Sequence, residues 1–257
     1  MHDVPMLADF AVRLAFGLAA LLLFTSWRIV PLSFFRTHCL VILGLLILAV
    51  LDTSRAQGLH GSVWLLVAGA VLSYAATVSW GLGLPRVAIP ATSLVALGAL
   101  CWLAIASQAD PAGIWLFNTA SRCASGFLMG ATLTAMLLGH HYLIAPTMSI
   151  EPLKGFVRWM GWGLAARGLI ALTGLSLAYS GVAGLHPGAF DSRSPLFLTM
   201  RWAVGFVGPV VAAILAWKTV QIRSTQSATG ILYVALTLVL FGELTSLIGA
   251  QAGGLIG

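Results

Sequence analysis

The chain is short of charge. Only 8% of its 257 residues are Asp, Glu, Lys or Arg, and acidic residues number seven. A soluble globular domain carries about 25% charged residues, so that class is excluded, as is a solvated, charge-rich disordered chain. Cysteine is scarce as well: Cys39, Cys101 and Cys123 show no CxxC spacing and read as small buried apolar residues rather than a disulfide or metal framework. There is no P-loop, no HExxH, no GxSxG and no dinucleotide fingerprint in a fitting context, which removes the commonest self-contained catalytic chemistries. On this reading a non-catalytic membrane subunit is favoured over a self-contained enzyme.

What the chain has in abundance is apolar sequence, at 60% hydrophobic residues and a mean hydropathy of +1.00. A bilayer helix needs about 20 largely apolar residues. That window predicts an all-α integral membrane protein with eight transmembrane helices, at 7–27, 38–52, 62–81, 87–107, 114–139, 156–180, 195–217 and 227–250. The second begins among Phe34 and Phe35. The first carries Asp9 and Arg13 and lacks a basic leader and a small-residue cleavage site, so it reads as a span and not as a signal peptide. The connections are at most about a dozen residues long, too short for a soluble domain. The whole of 1–257 is therefore expected to form a single polytopic membrane domain.

The net charge of +6 follows topology and does not point to nucleic acid. Arg28, Arg36, Arg86, Lys154, Arg158, Lys218 and Arg223 fall in connections 1–2, 3–4, 5–6 and 7–8, whereas Arg55 and Arg193 fall on the opposite side. The positive-inside rule then puts the basic connections in the cytoplasm and both termini on the outer, periplasmic side of a bacterial inner membrane. Trp27, Trp80, Trp159 and Trp217 lie at the same boundary, as an aromatic belt does.

Internal similarity suggests a tandem repeat of 1–110 and 111–257. Ala75-Ala76, Trp80, Arg86 and Ala91-Thr92 recur at one constant offset as Ala212-Ala213, Trp217, Arg223 and Ala228-Thr229. More loosely, Arg13-x-Ala15-x-Gly17 recurs as Arg122-x-Ala124-x-Gly126, and Trp27 to Pro31 as Tyr142 to Pro146. Four spans per half would relate two four-helix bundles by an axis along the membrane normal. Gly126-x-x-x-Gly130 predicts a close helix contact, and Pro209 a bend or local opening of the seventh helix.

Chemistry is expected where charge enters the spans. An ionised side chain in hydrocarbon costs roughly 2.5 kcal/mol or more, so Arg13, Arg122, Arg167 and Arg201 call for partners or a ligand. Counted from the expected outer helix ends, Arg13, Arg122, Arg201 and Glu243 lie roughly 9–12 Å deep, with Arg167 nearer the midplane. With Asn118, these residues make a candidate pocket for an anionic or hydrogen-bonding group: a carboxylate, a phosphate or a quinone carbonyl. The alternative is structural pairing, Asp9 with Arg13 at i, i+4, Arg201 with Glu243, and Arg122 with Asn118 and backbone carbonyls.

His140, His141, His38 and Glu151 form a second, cytoplasmic-side polar cluster. No two histidines project from mid-span, so haem b is a weaker cofactor expectation than quinone, and no metal is expected. His186-Pro187-Gly188 reads as a turn, and Ser227 or Thr225 as the cap of the eighth helix.

Three functions fit these features. The first is a membrane subunit of a redox or respiratory assembly that holds a quinone-like or anionic ligand, with Asn118, Thr132 and Thr134 as further polar groups on the fifth helix. The second is a secondary transporter of a small anionic metabolite, and the third a ligand-free assembly protein. Expected partners are the lipid bilayer and other membrane or peripheral subunits.

Overall fold

A computed structural model describes residues 4–57, 61–108, 115–144, 148–180 and 199–251. Among them the secondary structure is helical throughout, with no strand. The helices are α1 (Met6–Leu23), α2 (Leu32–Gln57), α3 (Val63–Gly81), α4 (Pro85–Ser107), α5 (Trp115–Ile144) and α6 (Glu151–Ser180). Then α7 combines a π-helical stretch, Met200–Val207, with Gly208–Gln221, and α8 is Thr225–Gln251. Seven of these are long and apolar enough to cross a membrane, α6 being the exception. Its Lys154, Arg158 and Arg167, together with several glycines, dilute the apolar character, although at 30 residues its length suffices for a bilayer.

Several helix ends differ from the sequence expectation. Pro31 sets the start of α2, which begins at Leu32, close to the expected start among Phe34 and Phe35, and runs to Gln57, beyond the expected end at 52. At the other extreme α1 stops at Leu23, where Thr25 Oγ1 donates to Leu21 O and Arg28 lies 5.3 Å from the Trp27 ring centre. The fifth and sixth helices both exceed their expected bounds of 114–139 and 156–180 on the side of their connection. α5 continues to Ile144, α6 starts at Glu151, and the Tyr142 hydroxyl donates to Ser149 O across the connection. Likewise α8 is entered from Ser224, whose carbonyl accepts from Ala228 N–H and whose hydroxyl bonds that of Ser227. Neither Ser227 nor Thr225 occupies the cap position.

The chain divides into two compact units, Met1–Gly130 and Ala131–Gly257. In the first, α1 packs on α2 and α4, and α3 on α2 and α4, closing a four-helix bundle. The N-terminal half of α5 lies against α1. A Cβ on Gly17 would sit on the Gly126 carbonyl, and one on Gly130 on the backbone of Gly17. Gly126 meets Arg13, with the Arg13 Cα 3.2 Å from where a Cβ would be. The pairing of 13 with 126 and 17 with 130 makes α1 and α5 run in the same direction, backbone against backbone. Small residues at membrane helix interfaces permit this approach, which maximises dispersion and leaves no side chain between the helices.

In the second unit, α8 packs on both parts of α7 and α6 on α7. Gly139 of α5 meets Thr229 of α8, whose Oγ1 lies 2.9 Å from the place of a Cβ. Pro209 has no N–H and its ring would clash with the carbonyl four residues back. The turns before it are widened accordingly, and Gly208 N–H reaches back five residues to Ala203 O.

Candidate functional site

The first unit encloses an acid and two bases. Asp9 and Arg13, one turn apart on α1, are 5% and 3% exposed. Arg13 Nε donates to Asp9 Oδ1 at 3.0 Å and Nη2 to Oδ2 at 2.6 Å. Arg122 of α5 approaches the same carboxylate, its Nε 3.6 Å from Oδ2, while its Nη1 donates to Ser107 Oγ of α4 at 2.6 Å. A second carboxylate, Asp52 of α2, accepts the Ala8 N–H at 2.8 Å and so satisfies one of the open donors at the start of α1. One oxygen pair thus serves two guanidiniums. The remaining arm of Arg13, Nη1, is buried and has no acceptor among the described residues. An ionised donor in that condition costs more than a neutral one, so the centre has unmet capacity for an acceptor oxygen.

The second unit carries its own pair. Arg167 of α6 donates from Nε to Glu243 Oε1 and from Nη2 to Oε2, both at 2.9 Å, with Ser246 Oγ 3.5 Å from Nη2. This is the fork-to-fork geometry that a guanidinium and a carboxylate favour. The side chains are 11% and 6% exposed. Around them the π stretch and α8 touch through glycine. A Cβ on Gly205 would lie 2.7 Å from Gly242 Cα, and one on Gly168 would lie 3.0 Å from the Phe206 ring. Arg201 is half-buried on the same π stretch and is engaged in interactions of its own.

Sequence spacing anticipates the Asp9–Arg13 pair and sets Arg122 against Asn118 and backbone carbonyls; the structure adds Ser107 Oγ and the Asp9 carboxylate to its partners. Spacing also puts Arg201 with Glu243 and Arg167 at another depth; Arg167 proves to hold Glu243 through both carboxylate oxygens. Arg167 and Glu243 instead lie at matched distances from the N-termini of α6 and α8. Ser107, Ser246 and the contribution of Asp52 carried no local signal, because hydroxyls on membrane helices mostly bond their own preceding turn, as Thr92 and Thr77 do here.

Comparison with protein-family models, with curated proteins and with solved structures finds no match to this chain. The two buried centres therefore rest on their own geometry.

Asn118 is half-buried in the first turn of α5. His38 is buried on α2, its Nδ1 donating to Phe34 O at 2.8 Å, which leaves Nε2 as a bare acceptor without a partner among the described residues. His140 is exposed and His141 half-buried in the last turn of α5. Glu151 is exposed and accepts from Lys154 Nζ at 2.8 Å, and the bond and charge of Lys154 hold its carboxyl below the usual range. Among the described residues no cluster of three or more His, Cys, Asp or Glu could hold a metal. Cys39 is buried as expected, whereas Cys123 is half-buried and Cys101 is exposed on α4. His186, Pro187, Gly188, Arg193 and Pro146 lie outside the described residues.

Proposed function

We propose that this protein is an integral membrane subunit that holds a quinone-like or anionic ligand among its helices, at the Asp9–Arg13–Arg122 centre. The unsatisfied Nη1 of Arg13 carries this reading. A carboxylate or a quinone carbonyl would supply the missing acceptor, and the hydroxyl and guanidinium of Ser107 and Arg122 would complete its recognition. Asn118, four residues before Arg122, lies one turn away for a further polar contact. No electron carrier is apparent in the chain's own motifs, so a redox role implies partner subunits that bring one. Purification in mild detergent, followed by extraction and mass spectrometry, tests this directly. A quinone or organic anion at near-stoichiometric amount, with cytochrome or iron–sulfur subunits, supports it; an empty, solitary protein refutes it.

A second reading, secondary transport of a small anion, is favoured by a different observation. The π stretch before Pro209, set against the Arg167–Glu243 pair, is the kind of interrupted helix from which membrane transporters build gates. Solute uptake by reconstituted vesicles would replace the first reading with this one.

The parallel course of α1 and α5 accords with a tandem origin of the two halves, and the excess of basic residues in connections 1–2, 3–4, 5–6 and 7–8 supports an inner-membrane location with both termini outside. The α3–α4 and α7–α8 turns share one hydrogen-bond pattern: Leu84 N–H to Ser79 O matches Ser224 N–H to Thr219 O, and Ala88 to Leu84 matches Ala228 to Ser224. In that register Gly83 corresponds to Arg223, so the Trp80/Arg86 match with Trp217/Arg223 is out of step with the turn. A topology reporter in the Glu151 connection should report the cytoplasm, and one after Gly257 the outer side; reversal at both overturns the orientation.

A further inference from the structure

In the second unit, α6 opens a cleft of about 260 Å³ lined by Gly155, Arg158, Trp159 and Trp162. Arg158 follows Gly155 by three residues and precedes Trp162 by four, so the three lie on one helix face. Gly155 leaves the floor open, since a Cβ there would meet nothing within 4 Å. Arg158 is exposed and makes no hydrogen bond or ion pair among the described residues, its acidic neighbour Glu151 being held by Lys154. Trp162 is 66% exposed, an expensive posture in water but an ordinary one for an indole at the headgroup level of a bilayer. Further along the helix Leu169 and Leu172 are exposed at 65% and 63%, a strip suited to an acyl chain.

From this arrangement we infer that the cleft binds an anionic phospholipid of the cytoplasmic leaflet, its phosphate on Arg158 and its glycerol region between Trp159 and Trp162. The volume is just below the roughly 300–1,000 Å³ of enclosed small-molecule sites. It suits a headgroup whose chains remain in the membrane. A guanidinium matches a phosphodiester through two parallel N–H donors, which zwitterionic headgroups share, but with Lys154 offset by Glu151 the charge of Arg158 remains in excess at the cleft and favours a lipid of net negative charge. The inference stands apart from the arginine centre of the first unit and does not depend on a ligand there.

Native mass spectrometry of the full chain, titrated with phosphatidylglycerol or phosphatidylcholine, provides the test. Wild type should retain phosphatidylglycerol preferentially, and Arg158→Gln should weaken that retention at least about fivefold, the effect of one basic residue near an anionic surface. Arg158→Lys should recover part of it, and Trp162→Ala should weaken binding of both lipids. Arg86→Gln, a basic residue elsewhere at the cytoplasmic boundary, should leave retention unchanged. Equal losses for Arg86→Gln and Arg158→Gln would overturn the site. So would displacement of lipid by inorganic phosphate at equal concentration, which would make the occupant a free phosphate.

Discussion

Replacing Glu243 by Leu should cost the second unit about 3–5 kcal/mol, the usual penalty for breaking a buried ion pair from one side. Both guanidinium–carboxylate contacts are 2.9 Å long and the side chains are 11% and 6% exposed, so solvent offers little relief to the stranded charge. Arg167 keeps its charge at any accessible pH and cannot escape by deprotonating. Removing Arg167 instead leaves a carboxyl that can take up a proton, so Arg167→Leu should cost less than Glu243→Leu. The double variant should return to within about 2 kcal/mol of wild type, because replacing a whole buried pair with apolar groups is often near neutral. Unfolding in mixed micelles, followed by tryptophan fluorescence, gives the four stabilities of a double-mutant cycle. A double variant as unstable as Glu243→Leu, or a Glu243→Leu loss below about 1 kcal/mol, would refute the assignment of the pair as a dry, mutually dependent contact.

Two further outcomes follow from backbone geometry. Gly17→Leu or Gly126→Leu should prevent the α1–α5 contact and sharply lower the yield of folded protein, since the new side chain would meet backbone and not a movable side chain; wild-type yield and melting temperature would contradict the close approach. Arg223, at φ 57, holds the left-handed position that Gly83 takes in the α3–α4 turn. Arg223→Gly should stabilise by up to about 1 kcal/mol and Gly83→Ala destabilise by about 1 kcal/mol, both read from thermal unfolding, with equal and opposite signs as the discriminating result.

Helices were legible in the sequence because a bilayer imposes a length of apolar residues that few other constraints produce. Their ends were not, because they depend on contacts made after the chain turns. Tyr142 extends α5 by bonding Ser149, and Pro31 draws the start of α2 back past Phe34. Gly126-x-x-x-Gly130 announced a close contact, yet its partner Gly17 was visible only as half of a loose repeat. Local spacing also exposed Asp9 with Arg13. The approach of Arg122 to Asp9 and the union of Arg167 with Glu243 join residues far apart in the chain, and helix depth alone could not choose among partners whose long side chains span a full turn. Pro209 signalled a disturbance in α7, but whether it would kink or widen the helix depended on the packing of Gly205 against Gly242.

The proposed ligand site stands on the buried Nη1 of Arg13, which has no acceptor among the described residues, beside the charge of Arg122. Equilibrium binding of a short-chain benzoquinone and of a benzoate probe to purified protein, compared with Arg13→Gln and Arg122→Gln, tests it most directly. One of the two probes should bind wild type and lose at least about tenfold in affinity in each variant, the value of one charge-assisted hydrogen bond, while both variants remain folded. Binding of neither probe, or undiminished binding in both variants, would contradict it.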